Sequence, residues 1–184
     1  MDTISHVYGP YSEETLAELR SFFYSYKTAF LDKLNRDVAK ETLLMVTADH
    51  GQSEASKENA IFASDYPELM NRLWIPPTGD SRAVFLYAKP GEIDEVKDYV
   101  DAKLRDRLFI LDSDRAIEEG LFGVGLDKKM IKERVGDLIM LSYSNNSFAY
   151  RHRGLEKDFT MKGAHGGMSE DEMLVPFICK KLRP

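Results

Sequence analysis

The stretch Leu43-Leu44-Met45-Val46-Thr47-Ala48-Asp49-His50-Gly51 constrains this chain more than any other. A near-continuous apolar run of this kind reads as a strand covered on both faces, as parallel strands are. It breaks abruptly into Asp49-His50-Gly51, so the strand delivers a carboxylate and an imidazole at its carboxyl end, where open α/β sheets place their ligand sites. Asp supplies a hard oxygen and His a neutral nitrogen, a pairing that suits zinc or manganese. Successive side chains on a straight strand point to opposite faces, so both serve one site only if the chain turns there. Gly51 permits that turn. The same residues also read as an ordinary strand end with a capping Asp and a solvated His.

With 184 residues there is room for one substantial domain, or for a domain with a small lobe. Apolar residues at 43% and charged residues at 30% are ordinary for a soluble globular protein. The net charge of −6 argues against a surface built for a nucleic acid polymer. It leaves a phosphate substrate open, because a bound cation inverts the local field. The single cysteine, Cys179, cannot form an internal disulfide; next to Val175-Pro176-Phe177-Ile178 it is expected to pack as a small hydrophobe. No apolar run reaches the roughly 18 residues of a membrane span, and no signal peptide opens the sequence. A cytoplasmic protein without membrane contact is the expectation.

Asp2 and His6 are four residues apart, on one face of a helical turn, able to share an ion. Alone the pair is a weak signal, since an acid at a helix start is commonly a cap. Termini also fray unless tied down, so a ligand at residue 2 implies a native chain that extends further upstream. Ser12 with Glu13 and Glu14 starts a helix, and Leu16, Leu19, Phe22, Phe23, Tyr26, Phe30, Leu31 and Leu34 recur at helical spacing. This predicts one helix over residues 13–39, lying on the sheet with its aromatic stripe in the core. After Trp74-Ile75-Pro76-Pro77-Thr78-Gly79-Asp80, a turn-rich connector, the periodicity predicts strands at 82–88, 108–111, 137–143 and 147–150 and helices at 92–105, 113–120 and 128–135. Arg151-His152-Arg153 is a basic cluster in an acidic protein. With Arg82 these residues are candidate phosphate contacts, a solvated loop being the alternative. Finally, Gly163-Ala164-His165-Gly166-Gly167 projects a single imidazole from a backbone that can approach a ligand closely. Ser169 then caps a short helix before an apolar last strand.

Taken together, Asp2-xxx-His6, Thr47-Ala48-Asp49-His50-Gly51 and Gly163-Ala164-His165-Gly166-Gly167 with Ser169 resemble the alkaline phosphatase superfamily. The look is closest to its type I phosphodiesterase/nucleotide pyrophosphatase branch, with cofactor-independent phosphoglycerate mutase more distant. The resemblance implies an α/β fold, part of an alkaline-phosphatase-like three-layer sandwich with an inserted smaller α+β lobe. Residues 1–73 and 161–184 would form the metal-binding core and 74–160 the cap-like lobe. It further implies metal-dependent hydrolysis of phosphate mono- and diesters, with a phosphate ester or nucleotide as substrate. Two divalent ions, zinc or manganese, would be held side by side: Asp2, His6 and His165 on one, Asp49 and His50 on the other. Retention of only one ion is the alternative. Such a pair, about 4 Å apart, can clamp the attacking and leaving oxygens of an in-line displacement.

The chain departs from the family pattern in one respect. The family also takes a Thr or Ser nucleophile and an earlier Asp ligand from its amino-terminal half. Neither Thr47 nor Ser5 follows an upstream strand as a nucleophile should, so no catalytic nucleophile is assigned. The expectation is therefore the carboxyl-terminal portion of such an enzyme, inactive alone, with an amino-terminal fragment or a second copy of the chain covering an exposed sheet. A non-catalytic remnant that binds metal or a partner, and an α/β binding domain whose motifs coincide by chance, are the other two readings.

Overall fold

A computed structural model describes residues 1–150 and 161–182. Arg151, His152 and Arg153 lie outside the described residues. The chain opens with helices α1 (Asp2–Tyr8), α2 (Glu13–Ala29) and α3 (Arg36–Lys40), with a 3-10 turn at Leu31–Lys33. Strands β1 (Leu43–Thr47), β2 (Ser53–Glu54) and β3 (Ala60–Phe62) follow, then α4 (Pro67–Arg72). Next come β4 (Thr78–Gly79), β5 (Ala83–Leu86), α5 (Ile93–Leu104), β6 (Leu108–Asp112), α6 (Ser113–Glu118), α7 (Lys128–Val135), β7 (Leu138–Ser142) and β8 (Ser147–Ala149). The chain closes with β9 (Gly163–Ala164), α8 (Glu170–Met173) and β10 (Phe177–Lys181). No helix among the described residues is long and apolar enough to cross a membrane.

The best-packed part is a four-stranded antiparallel sheet in the order β4-β5-β7-β6. Because β7 lies antiparallel between β5 and β6, those two strands run the same way, and α5 is the crossover between them. Alternation along β7 divides the core. Leu138 and Met140 face α5, where Val96, Val100 and Leu104 recur at helical spacing to bury one stripe. Ile139 and Leu141 face the other side, under Ile117 of α6 and Ile131 and Val135 of α7. The sheet is thus covered on both faces. The fourth strand differs from expectation: Thr78–Gly79 completes this sheet, whereas Ser147–Ala149 pairs in parallel with Ala60–Phe62. Ile61, Leu69 and Leu73 join the same core as Val84 and Leu86, so the packing runs across residue 73.

The other end is built differently. β1 pairs antiparallel with β10, and these two strands form a sheet of their own among the described residues. Leu43 is 56% exposed, Met45 61% and Phe177 70%. The expectation of a buried parallel strand is therefore corrected. The apolar run is real, but the layers that would cover it are not supplied by the described residues. Cys179, expected to pack as a small hydrophobe, is exposed on the same ribbon.

The single helix expected over residues 13–39 is also corrected. Thr28 Oγ1 bonds back to the Tyr24 carbonyl at 3.0 Å, and the Asn35 side chain accepts the Asp37 N–H at 2.8 Å to start a separate helix. These local bonds compete with continuation of the first helix. Ser12 does cap α2, its Oγ accepting the Thr15 N–H at 3.1 Å. The aromatic stripe is not core: Phe22 is 51% exposed, and Phe22, Tyr26 and Phe30 form a ladder of ring contacts on the surface.

This contrast sets an expected result. Leu138→Ala removes a fully buried side chain and should cost about 2–5 kcal/mol in urea unfolding. Met45→Ala should cost less than about 1 kcal/mol in the same assay, as exposed substitutions do.

Candidate metal centre

Helix α1 brings Asp2 and His6 onto one face, with Asp2 Oδ1 3.3 Å from His6 Nε2. His165, arriving 159 positions after His6 on the loop after β9, places its Nε2 3.6 Å from the same Asp2 oxygen. The three side chains each offer a ligand atom, and these atoms all lie within 4.8 Å of one another. The bond from Lys162 N–H to the His6 carbonyl at 2.8 Å holds these two distant segments together, and the short pairing of β2 with β9 brings the chain that follows His50 alongside.

The hydrogen bonding of His6 sets which ring nitrogen faces the cluster. Its Nδ1 lies 2.7 Å from the Gly163 carbonyl. A carbonyl can only accept, so Nδ1 carries the hydrogen and donates. A neutral ring then presents a lone pair on Nε2, pointing at the Asp2 carboxylate. A divalent cation suits two such lone pairs turned to one point; a proton on Nε2 would make the same contact an ion pair. An outer hydrogen bond that fixes the tautomer in this way is the usual companion of a metal-ligating imidazole.

His50 repeats the pattern. Its Nδ1 lies 2.8 Å from the Gly51 carbonyl and must donate to it. That leaves Nε2 free, 3.8 Å from Asp49 Oδ2. The His50 ring stacks on the His165 ring at 3.8 Å between centroids and 18° between planes. Glycine is needed at position 51 for a steric reason and not for a left-handed backbone: a Cβ there would sit 1.9 Å from the Asp171 carbonyl oxygen. Asp49, with its side chain 90% exposed, stands at the open side of the group, accepting the His50 N–H at 3.2 Å. Among the described residues no further His, Cys, Asp or Glu joins the Asp49–His50 pair to make a second group of three.

Beside these side chains lies a cleft of about 310 Å³, lined among others by Asp2, Ser5, Thr15, Asp49, His50 and Gln52. It is open enough to admit a small ligand to the carboxylates and to His50. All five residues read from the sequence as ligands are therefore neighbours. Three of them converge on one point and two flank it.

Arg82 is a different matter. Expected from the sequence to be a phosphate contact, it is fully buried and forms a two-pronged ion pair with Glu172, Nε to Oε1 at 2.8 Å and Nη2 to Oε2 at 2.6 Å. A guanidinium so occupied has no face left for a substrate, which corrects that expectation. Burial alone pushes the Glu172 carboxyl up; hydrogen bonds from Arg82, Ser169 Oγ and the Gly167 N–H, with the Arg82 charge, outweigh it and bring it down to about 2. Glu172 was not singled out from the sequence. Its signal is Ser169-x-x-Glu172, the capping-box spacing, and the box is formed. No pattern in the sequence marks Arg82 as its partner.

Comparison with known proteins gives a consistent picture. A family model described as type I phosphodiesterase/nucleotide pyrophosphatase matches residues 1–168. No curated protein sequence matches the chain. Among solved structures, human ectonucleotide pyrophosphatase/phosphodiesterase 5 is similar with a TM-score of 0.71 at 17% identity, over 97% of this chain and 44% of that one. An inactive variant of the murine protein of the same name, in complex with AMP, gives 0.60 at 19% identity, over 97% and 44%. Phosphonoacetate hydrolase from Sinorhizobium meliloti, in complex with phosphonoformate, gives 0.65 at 21% identity, over 97% and 43%. At these identities the likeness is one of fold. The chain spans less than half the length of these structures.

Proposed function

The chain belongs to the type I phosphodiesterase/nucleotide pyrophosphatase family, and from that premise we propose that it carries the metal-binding part of a hydrolase of phosphate mono- and diesters. Nucleotides are the substrate class favoured, in keeping with the AMP held by one structural relative. The observation that carries this reading is the convergence of Asp2 Oδ1 with Nε2 of His6 and of His165, while the Gly163 carbonyl takes the His6 Nδ1 hydrogen.

Asp2, His6 and His165 hold one divalent ion in this reading, and Asp49 and His50 contribute to a second. One carboxylate oxygen with two imidazole nitrogens suits zinc or manganese. Such ions supply Lewis-acid stabilisation of the charge that builds on phosphoryl oxygens. The chain's own residues set up the conditions. Gly163 and Gly51 carbonyls fix the tautomers of His6 and His50. The stacking of His50 on His165 holds both rings in one orientation. The cleft beside Asp49 admits the phosphate from the open side.

The attacking hydroxyl and the further ligands of the second ion come, in the same proposal, from an amino-terminal part of the family domain. Three observations support this: the Asp49–His50 pair lacks a third ligand among the described residues; α2, β1 and β10 expose apolar faces; and the related structures are more than twice as long as the segment that matches them. A second copy of the chain is the competing cover for those faces. Residues 74–160 act in this proposal as the cap that shapes substrate choice, their described part sharing one core with Ile61, Leu69 and Leu73. The incomplete second pair also favours one other reading, a remnant that binds a metal or partner without catalysis.

Hydrolysis of a chromogenic phosphodiester in Mn²⁺ or Zn²⁺ separates these readings. Mixing the chain with a separately produced amino-terminal portion of a family domain should generate activity that neither piece shows alone, and His50→Ala should abolish it. Inactivity under every such complementation would instead support the non-catalytic remnant.

A further inference from the structure

We infer that Arg82 and Glu172 are a positioning pair for the metal centre, with Glu172 as the point at which the His165 loop and the Asp49-His50 loop are held to the same anchor. The inference rests on the metal-binding reading above and extends it to two residues that touch no ligand.

Glu172 acts on the two loops through different groups. Its side-chain Oε1 accepts the Gly167 N–H at 2.9 Å, two residues after His165. Its backbone carbonyl accepts the Gly51 N–H at 2.8 Å, one residue after His50. One residue thus fixes the backbone beside both histidines whose rings stack. The approach to the first loop is close: a Cβ on Gly167 would lie 2.8 Å from Glu172 Oε2, so a side chain there would displace the carboxylate.

Arg82 anchors this hub from the start of β5. Its Nη1 donates to the carbonyls of Ser144 at 2.7 Å and Asn146 at 2.6 Å, just beyond β7. Its Nε and Nη2 grip Glu172. The guanidinium is therefore tied to the turn that follows β7 of the four-stranded sheet, and through Glu172 it links that turn to the two loops. A buried pair is often no better for stability than apolar residues of like volume. A two-pronged pair whose carboxylate also orders a ligand loop has a role that such residues would not fill.

The test uses Arg82→Met/Glu172→Leu, which replaces the pair by apolar side chains and leaves no unpaired buried charge. Co²⁺ is titrated into the chain and the variants, with affinity and the visible d–d absorption as readouts and the melting temperature recorded alongside. The double variant should melt near the wild-type temperature yet bind Co²⁺ about 10–100-fold more weakly, the cost of losing an outer support of a ligand, with an altered spectrum. Wild-type affinity and spectrum in the double variant would overturn the inference. Arg82→Lys keeps the charge but loses the fork, and should show the same spectral change in a folded protein even if the double variant does not fold. Removing an ion pair elsewhere in the fold, Lys97→Met/Asp112→Leu, should leave Co²⁺ binding unchanged; an equal loss there would also overturn the inference. His165→Ala separates the two levels. If it leaves Co²⁺ binding unchanged, the metal reading itself fails. If it weakens binding while the pair variants do not, only the positioning pair fails.

Discussion

Arg82→Ala should destabilise the fold by about 3–5 kcal/mol, the cost of breaking a buried ion pair from one side. Both partners are inaccessible, their side chains 0% and 1% exposed. Without the guanidinium, the Glu172 carboxylate keeps its bonds from Gly167 and Ser169 but loses both bonds from Arg82 and its counter-charge. The Ser144 and Asn146 carbonyls lose their donor at the same time. Against a total stability of roughly 5–15 kcal/mol for a typical domain, this is a large fraction. Urea unfolding measures it directly, and Arg82→Met/Glu172→Leu should recover most of the loss.

The same pair makes stability depend on acid pH. The Glu172 carboxyl titrates near 4.5 in a free chain and at about 2 in the fold. A depressed carboxylate contributes stability that is complete above its unfolded value and lost as pH falls through its folded value. Melting temperature should therefore hold above about pH 4.5 and decline towards pH 2. The double variant, having no carboxylate at this position, should show a shallower decline. A shift of this size corresponds to about 3 kcal/mol, in line with the cost of the broken pair.

Much of the molecule could be read from its sequence where local pattern and packing agree. The residues 128–135 form a helix because Ile131 and Val135 share a face and find Ile139 beneath them. The 137–143 strand forms because both of its faces have layers to bury them. The failures have the opposite cause. Residues 43–47 and the aromatic stripe of α2 have the composition of buried elements, and composition tells what a face requires, not whether it is supplied. The residues of the candidate metal centre stand out in the sequence because Asp-xxx-His is a helical spacing and Asp-His-Gly ends an apolar run. Their convergence depends on pairing between β2 and β9, more than a hundred residues apart, which no local pattern encodes. Arg82 was misread for the same reason. An arginine before a strand resembles a surface charge until a carboxylate 90 positions away is folded onto it.

The central claim is that Asp2, His6 and His165 form one metal site. Replacing His165 by alanine removes one of its three ligand atoms and leaves Asp2 and His6 on α1 with an intact Gly163 bond. The loss in affinity should exceed the roughly 10–100-fold that follows from losing an outer partner of a ligand. Asp2→Asn should weaken binding to a similar degree, because it removes the charge on which both imidazoles converge. Zn²⁺ titration of the full chain by calorimetry, beside both variants, is the direct measurement. The geometry predicts tight binding by the native chain and a loss of more than about 100-fold in each variant. Equal Zn²⁺ affinity for the native chain and His165→Ala would contradict it.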